Sequence, residues 1–365
     1  HFAPRHSLSE VSIFINLRDK LKDNIIDISI DYQKDLFTHS GIELMFERLE
    51  TIFENYFKYP ESKLIKQSIL GKNEINHLTK FNQTDINLGN EDNFIARFNK
   101  SVESYPDNIA ISDNGKNYRY SELSNLSLSM ASKVWEQGKS SDTIAVIMKK
   151  SVDLIITILG ILNTGKSYLP IDPNTPDDRI DYMLDNSNVS LIICDSSFES
   201  NLVRKYDTIN IMAEDLSDNS ILKESTCINH KTDAYTIYTS GSTGNPKGVS
   251  ISHGNLINYI NWAASYYNLG NKLIFPLYSS ISFDLTITSI FLPLAEGGQI
   301  VVYEDEDFEN AFLKIFEDNL VNTVKLTPSH LRIIQNMTFN TSSIKQLIVG
   351  GEELTYNISR TIYRN

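Results

Sequence analysis

The stretch Tyr238-Thr-Ser-Gly-Ser-Thr-Gly-Asn-Pro-Lys-Gly248 constrains this chain more than any other. An apolar, strand-like run, Ala234-Tyr-Thr-Ile-Tyr238, leads into it, and Val249-Ser-Ile-Ser252 leads out. Its glycines, Gly241, Gly244 and Gly248, let the backbone curl so that successive N–H groups point inward, a concavity suited to a polyphosphate. The hydroxyls of Thr239, Ser240, Ser242 and Thr243 add neutral donors, and Lys247 adds a cation that anionic oxygens favour. Pro246 stiffens the exit. The common Gly-x4-Gly-Lys-Ser/Thr loop is excluded, because it needs glycine at Pro246 and a hydroxyl at Gly248. The plain alternative is a flexible Gly/Ser connector between two strands. The Pro-Lys-Gly ending and the tight strand flanks speak against it.

A chain of 365 residues has room for two or more domains of ~150 residues. Its net charge of −13, with no basic stripe, excludes a nucleic-acid or anionic-membrane partner. A polyphosphate site must therefore draw its positive potential from local groups. The two cysteines, Cys194 and Cys227, lie far apart without metal-ligand spacing, which fits a reduced, cytoplasmic setting. The opening His1-Phe-Ala-Pro-Arg-His6 has no start methionine and no apolar h-region, and reads as an internal cut. The longest apolar run, Leu154 to Leu162, is too short to span a membrane.

Residues 1–80 have their own character. Ile25–Tyr32 alternates like a half-buried strand, and Ile42, Leu44, Met45, Leu49, Ile52, Phe53, Tyr56 and Phe57 mark one helix ending near Pro60. His39 reads as a solvated loop residue. From Leu64 to about Asn93 the sequence is polar and Asn-rich, which reads as a linker, with residues 81–93 its core. From Phe94 onward strand and helix patterns alternate. The expected fold class there is α/β: layered, mostly parallel sheets flanked by helices, behind a small α+β N-terminal segment. Within it, Ser121 reads as a helix cap, and the polar stretch Glu214–Ser220 as a mobile surface loop.

Beyond the loop, His253-Gly-Asn255 opens a helix running to about Tyr267, and Ser282-Phe-Asp284 enters another. Asp284 has two readings on the residues alone: a helix N-cap, or a carboxylate facing a pocket and binding a cation. Lys325, in the strand Thr323-Val-Lys-Leu-Thr327, has two as well. It can face water on the polar side of an alternating strand. In a sheet covered on both faces it would instead be a costly buried cation needing an acceptor. Gln346-Leu-Ile-Val-Gly-Gly351 is a strand ending in two glycines, which lets a ligand approach the backbone. Asp284, Lys325 and Gly350 all lie near strand carboxyl ends or the helix start that follows one, where open α/β sheets bind ligands.

The stretch Tyr238–Gly248 resembles the phosphate loop of the adenylate-forming superfamily, and its tyrosine start is most similar to adenylation domains of nonribosomal peptide synthetases. Tyr120-Ser-Glu-Leu123, Gly165-Lys-Ser-Tyr-Leu-Pro-Ile-Asp172 and Phe283-Asp-Leu-Thr286 resemble further motifs of those domains. The resemblance covers residues 94–365 as the N-terminal core of such a domain. It implies ATP and Mg2+ as cofactors, with Thr239–Gly244, Lys247, Gly351 and Glu352 at the nucleotide and Lys247 acting on the phosphates. It implies that Asp284 holds the α-ammonium of an amino acid. By order, Asp284, Leu285, Thr288, Lys325, Ile348 and Gly350 fall at the substrate pocket, in a pattern that resembles domains activating aspartate or asparagine. The magnesium-holding glutamate, the ribose-binding aspartate and the mobile C-terminal subdomain with its catalytic lysine do not occur in these 365 residues. The expectations are therefore no metal ligand in this stretch and no turnover by it in isolation. Tyr32-Gln-Lys-Asp-Leu-Phe37 with the following helix resembles the end of a condensation domain, without that domain's His-rich motif. Implied partners are the upstream condensation domain, the downstream C-subdomain and a carrier domain. Two rivals remain: an acyl-CoA ligase, which would have no use for Asp284 as an ammonium partner, and a non-catalytic docking piece.

Overall fold

Alternating apolar residues in Val11–Arg18 and Ile25–Tyr32 form two strands, β1 and β2, which pair antiparallel from Val11 opposite Tyr32 to Arg18 opposite Ile25. The computed structural model describes residues 11–18, 25–85, 93–138, 142–196, 198, 205–210, 216, 228–240, 246–267, 270, 272–304, 308–335 and 343–364. Contacts divide the chain into two compact units, His1–Asn87 and Leu88–Asn365. In the first, the β-hairpin is followed by α1 (His39–Lys58), capped by Thr38, whose hydroxyl accepts from the Gly41 N–H. His39 is the first residue of α1, with its side chain 77% exposed, so it is a surface residue as expected, on a helix and not in a loop.

The polar stretch after α1 is not a featureless linker. A turn of 3₁₀ helix at Leu64–Lys66 precedes α2 (Lys72–Asn82). Arg48 of α1 grips Glu74 in the first turn of α2 through both guanidinium donors, and Asn73 donates to Glu47 at 2.5 Å. Polar composition concealed a helix whose docking is itself polar.

In the second unit α3 (Phe94–Ser104) is followed by β3 (Ile109–Asp113), β4 (Lys116–Arg119), α4 (Tyr120–Gln137), β5 (Thr143–Ile147), α5 (Val152–Asn163), β6 (Ser167–Ile171), α6 (Asp177–Asn186), β7 (Leu191–Cys194) and β8 (Asp207–Asn210). The chain continues through β9 (Asp233–Thr239), β10 (Lys247–Ser252), α7 (His253–Tyr267), β11 (Ile274–Leu277), α8 (Leu285–Ala295), β12 (Gln299–Val302), α9 (Phe308–Glu317), β13 (Thr323–Leu326), α10 (Pro328–Ile334), β14 (Gln346–Val349) and α11 (Tyr356–Arg364). A six-stranded sheet has the order β10-β9-β6-β5-β7-β8, parallel except for the β9–β10 pair. A four-stranded sheet has the order β11-β12-β3-β4, with only β4 antiparallel, and β13 pairs parallel with β14. This is the layered α/β architecture expected from the alternating pattern. Glu214–Ser220 lies outside the described residues, Leu216 apart.

Strand composition follows from burial. β6 and β7 are buried along their whole length and read as unbroken apolar runs, as parallel strands covered on both faces do. α5 is the helical counterpart, with Val152 and Leu154–Leu162 all buried. Its start is fixed by Ser151, whose Oγ accepts from the Leu154 N–H at 3.2 Å, and by the Asp113 carboxylate, which takes the Val152 N–H at 2.9 Å. Ser121 is not a cap. Helix α4 starts one residue earlier, the Arg119 N–H donates to Glu122, and the Ser121 hydroxyl donates to the Pro106 carbonyl.

α4 and α5 cross closely at Gly160. A methyl group there would lie 2.6 Å from Met130 Cβ and 3.2 Å from the Ala131 nitrogen. Gly160→Ala should therefore cost about 1–3 kcal/mol, the usual cost of overpacking a filled core. Denaturant unfolding of the two proteins measures it, and an unchanged midpoint would contradict the close crossing.

Candidate active site

The end of β6 holds the turn that carries Asp284. Ser280 Oγ donates to Asp172 Oδ2 at 2.6 Å, and the Asp172 N–H donates to Ser282 Oγ at 3.0 Å. Thr286 Oγ1 closes the turn from the other side, donating to the Ser280 carbonyl at 2.8 Å. The Pro170-Ile-Asp172 stretch thus anchors the loop between β11 and α8. Asp284 sits at the N-cap position of α8, yet its side chain makes no capping hydrogen bond and its backbone is already helical. Its carboxylate is exposed.

Asp284 and Thr288 are four residues apart on α8 and so share a helix face. Lys325 comes to that face from β13, donating from Nζ to Thr288 Oγ1 at 2.7 Å. Tyr259 comes from α7. Its hydroxyl lies 2.5 Å from Thr288 Oγ1, and its ring centroid lies 5.9 Å from the Lys325 ammonium. Burial lowers the Lys325 pKa, while the Asp284 carboxylate acts against that fall. The phenols of Tyr235 and Tyr259 are pushed up, first by burial and further by Asp284. All three groups therefore sense the Asp284 charge, although among the described residues no carboxylate forms an ion pair with Lys325. Ile348 stands beside Lys325 in the parallel β13–β14 register and is 7% exposed. Gly350 follows β14, its N–H donating to the Leu326 carbonyl at 3.1 Å, and a Cβ there would meet nothing within 4 Å. Leu285 is buried, at 8% exposure, in the first turn of α8.

The structure thus brings Asp284, Thr288 and Lys325 into one neighbourhood, with Ile348 and Gly350 on the adjoining strand. Tyr259 and Tyr235 join them without any sequence signal. The helical spacing from His253 puts Tyr259 on α7, but nothing local says that α7 packs on α8. A cleft of 520 Å³ opens at the ends of β5, β6 and β11, bounded by Lys149, Asp172, Asn174, Ser280, Ile281 and Glu304. None of the expected substrate contacts lines it. The turn bearing Asp284 forms part of its wall.

Of the expected phosphate cradle, Thr239, Ser240 and Lys247 are described, and Gly241, Ser242, Thr243 and Gly244 lie outside the described residues. Thr239 and Lys247 are register partners at the open end of the β9–β10 pair, and Thr239 Oγ1 donates to the Lys247 carbonyl at 3.5 Å. The mouth of the loop is pinned by Tyr238. Its hydroxyl bonds Asn186 Oδ1 at 2.6 Å and Ser187 Oγ at 2.8 Å, both at the end of α6. Gly248 allows this closure, since a Cβ there would sit 3.1 Å from the Tyr238 ring. Glu352 accepts from Ser329 Oγ at 2.5 Å, and this bond holds its carboxyl below the usual range. Gly351, just before it, has φ +89°.

The sequence profile of the AMP-binding enzyme family matches residues 98–364, and the chain belongs to that family. It is 36% identical over 344 residues to tyrocidine synthase 3 of Brevibacillus parabrevis, covering 93% of this chain and 5% of that synthase. It is also 36% identical over 338 residues to bacitracin synthase 3 of Bacillus licheniformis, covering 92% of this chain. The chain spans 5% of the length of each of these two relatives. Among solved structures, the nonribosomal peptide synthetase FmoA3 superposes with a TM-score of 0.80 at 19% identity, over 93% of this chain and 37% of that one. A four-domain nonribosomal peptide synthetase bound to AMP and glycine gives 0.78 at 18% identity, over 97% and 26%.

The two glycines after β14 should respond differently to a methyl group. Gly350→Ala meets open space and should leave stability within about 0.5 kcal/mol, as a substitution away from packed features does. Gly351→Ala forces an L-residue into left-handed backbone and should cost ~1–2 kcal/mol. Thermal unfolding of both variants checks the contrast.

Proposed function

We propose that this chain is the core of an amino-acid-adenylating domain of a nonribosomal peptide synthetase, and that its substrate is aspartate or asparagine. The reaction is amino acid + ATP → aminoacyl-adenylate + pyrophosphate, followed by transfer of the aminoacyl group to a carrier-domain thiol. The observation that carries the substrate reading is the pairing of an uncapped Asp284 with a half-buried Lys325 whose bonded partner is a neutral hydroxyl.

A partly buried ammonium whose bonded partner among the described residues is Thr288 keeps two N–H donors for an incoming acceptor. Asp284 offers its complement, a carboxylate without a capping duty. In this reading a small zwitterion with a β-carboxylate or β-amide would place its α-ammonium at Asp284 and its side-chain oxygen at Lys325. Ile348 would form an apolar wall, and the open space above Gly350 would leave room. The substrate's own carboxylate attacks the α-phosphorus, so that a new P–O bond forms while the bond to the β-phosphate oxygen breaks. Protein nucleophiles have no part in that step. Lys247 and the donors of the 239–248 loop would stabilise charge moving onto the leaving pyrophosphate.

Magnesium fits as a companion of the polyphosphate. Among the described residues no group of three or more His, Cys, Asp or Glu could hold a metal. The resemblance puts the ion's protein ligand outside these residues, and phosphate oxygens and water would supply the rest. We read residues 1–80 as the end of a condensation domain and 81–93 as the junction, with a carrier domain as the downstream partner. Among the described residues no helix is long and apolar enough to cross a membrane.

The test is amino-acid-dependent ATP–pyrophosphate exchange by the full-length protein. Aspartate or asparagine should support it and leucine should not. Lys325→Ala and Lys325→Glu should each abolish that preference, lowering the selectivity ratio at least about 100-fold, as expected when a site built to bond a polar substrate loses its partner. Selectivity retained in both variants would rule out the substrate assignment.

A further inference from the structure

We infer that Tyr259 is a positioning residue for substrate selection: through Thr288 it fixes where the Lys325 ammonium points. The inference rests on the Asp/Asn reading above and extends it to a residue outside the motif positions. Three observations carry it. Thr288 is fully buried, so water cannot complete its hydrogen bonds. Its Oγ1 has two protein partners, Lys325 Nζ at 2.7 Å and the Tyr259 hydroxyl at 2.5 Å. The Tyr259 ring also lies within cation–π range of the same ammonium, at 5.9 Å.

Threonine in a helix divides between two rotamers, because its hydroxyl can turn back to a carbonyl in the preceding turn. For Thr288 that carbonyl would be the one of Asp284 or Leu285, one turn earlier in α8. A hydroxyl turned that way would no longer be held toward Lys325. Tyr259 decides between the rotamers by supplying a second partner on the Lys325 side. Lysine contributes donors only, so one Thr288 lone pair is taken by Lys325 and the remaining lone pair or the proton serves Tyr259. The result is a fixed acceptor at the base of a flexible four-carbon chain. Tyr259 is itself held by the tilted Trp262 ring, with centroids 6.1 Å apart, on a helix whose buried face includes Leu256 and Ile260. An ammonium with one N–H fixed in this way presents the other two in a constant direction, which a short polar side chain requires for selection.

The decisive variant is Tyr259→Phe, which keeps the ring, its packing and its cation–π face and removes only the hydroxyl. In ATP–pyrophosphate exchange by the full-length protein, it should raise the KM for the preferred amino acid about tenfold, the size of a lost hydrogen bond in a charged network. The KM for ATP should stay within twofold, which also reports that the variant is folded. In a Thr288→Val background, adding Tyr259→Phe should change the amino-acid KM by less than twofold, because the route through Thr288 is already cut. An unchanged amino-acid KM in the single variant, equal losses in the two backgrounds, or a parallel rise in the ATP KM would each overturn the inference. Failure of the underlying reading looks different: the unaltered protein would then show no preference for aspartate or asparagine over leucine, and the role of Tyr259 would fall with it.

Discussion

The carboxylate of Asp172 ties the two large sheets together at the place where chemistry is expected. It sits just past the end of β6 in the six-stranded sheet and takes the hydroxyl of Ser280, just past β11 of the four-stranded sheet. Its own N–H meets Ser282, so the turn is held by side chain and backbone together. A hydrogen bond to a charged acceptor contributes about 1.5–3 kcal/mol, more than a turn of exposed loop gains from packing. The orientation of α8 into the site follows, and with it the shared face of Asp284 and Thr288. The bond from Lys325 to Thr288 depends on α8 being held there.

Lys325 shows how a cation is kept half-buried without a salt bridge. Desolvation acts against its charge, and the Asp284 carboxylate acts for it from beyond bonding distance. Thr288 and the Tyr259 ring supply a neutral acceptor and an aromatic face. Direct contact with Asp284 would have satisfied the pair internally and left nothing to recognise. In the proposed substrate reading, separation would keep both charges available for a ligand carrying the opposite signs at its two ends.

Much of this was legible in the residues. The strand and helix patterns that alternate from Phe94 onward became the parallel strands β5, β6 and β7 with helices between them, and the helix opened by His253 runs to Tyr267. Lys325 could be singled out because it broke a local rule, a lysine between Val324 and Leu326, and Asp284 because Phe283-Asp-Leu-Thr286 resembles an adenylation-domain motif. Other features were hidden for physical reasons. α2 docks through Arg48–Glu74 and Asn73–Glu47, and its apolar residues Ile75, Leu78 and Phe81 stay exposed in a segment whose composition is otherwise polar. Ser121 resembled a cap, but capping was met by the Arg119 backbone and Glu122. Tyr259 reads as one more aromatic on an amphipathic helix, and only the packing of α7 against α8 gives its hydroxyl a partner.

The almost wholly buried α5, in which only Asp153 and Asn163 at the ends are part-exposed, has a further implication for how the chain reaches its native state. A helix apolar on every side has no solvent-compatible face, so it can persist only once β5 and its neighbours on one side and α4 on the other have closed over it. Residues 120–194, from α4 to β7, are accordingly expected to gain order as one cooperative block. Any boundary drawn inside that block, whether by a protease or by an engineer exchanging parts between synthetases, would release a sticky, aggregation-prone segment instead of two autonomous halves.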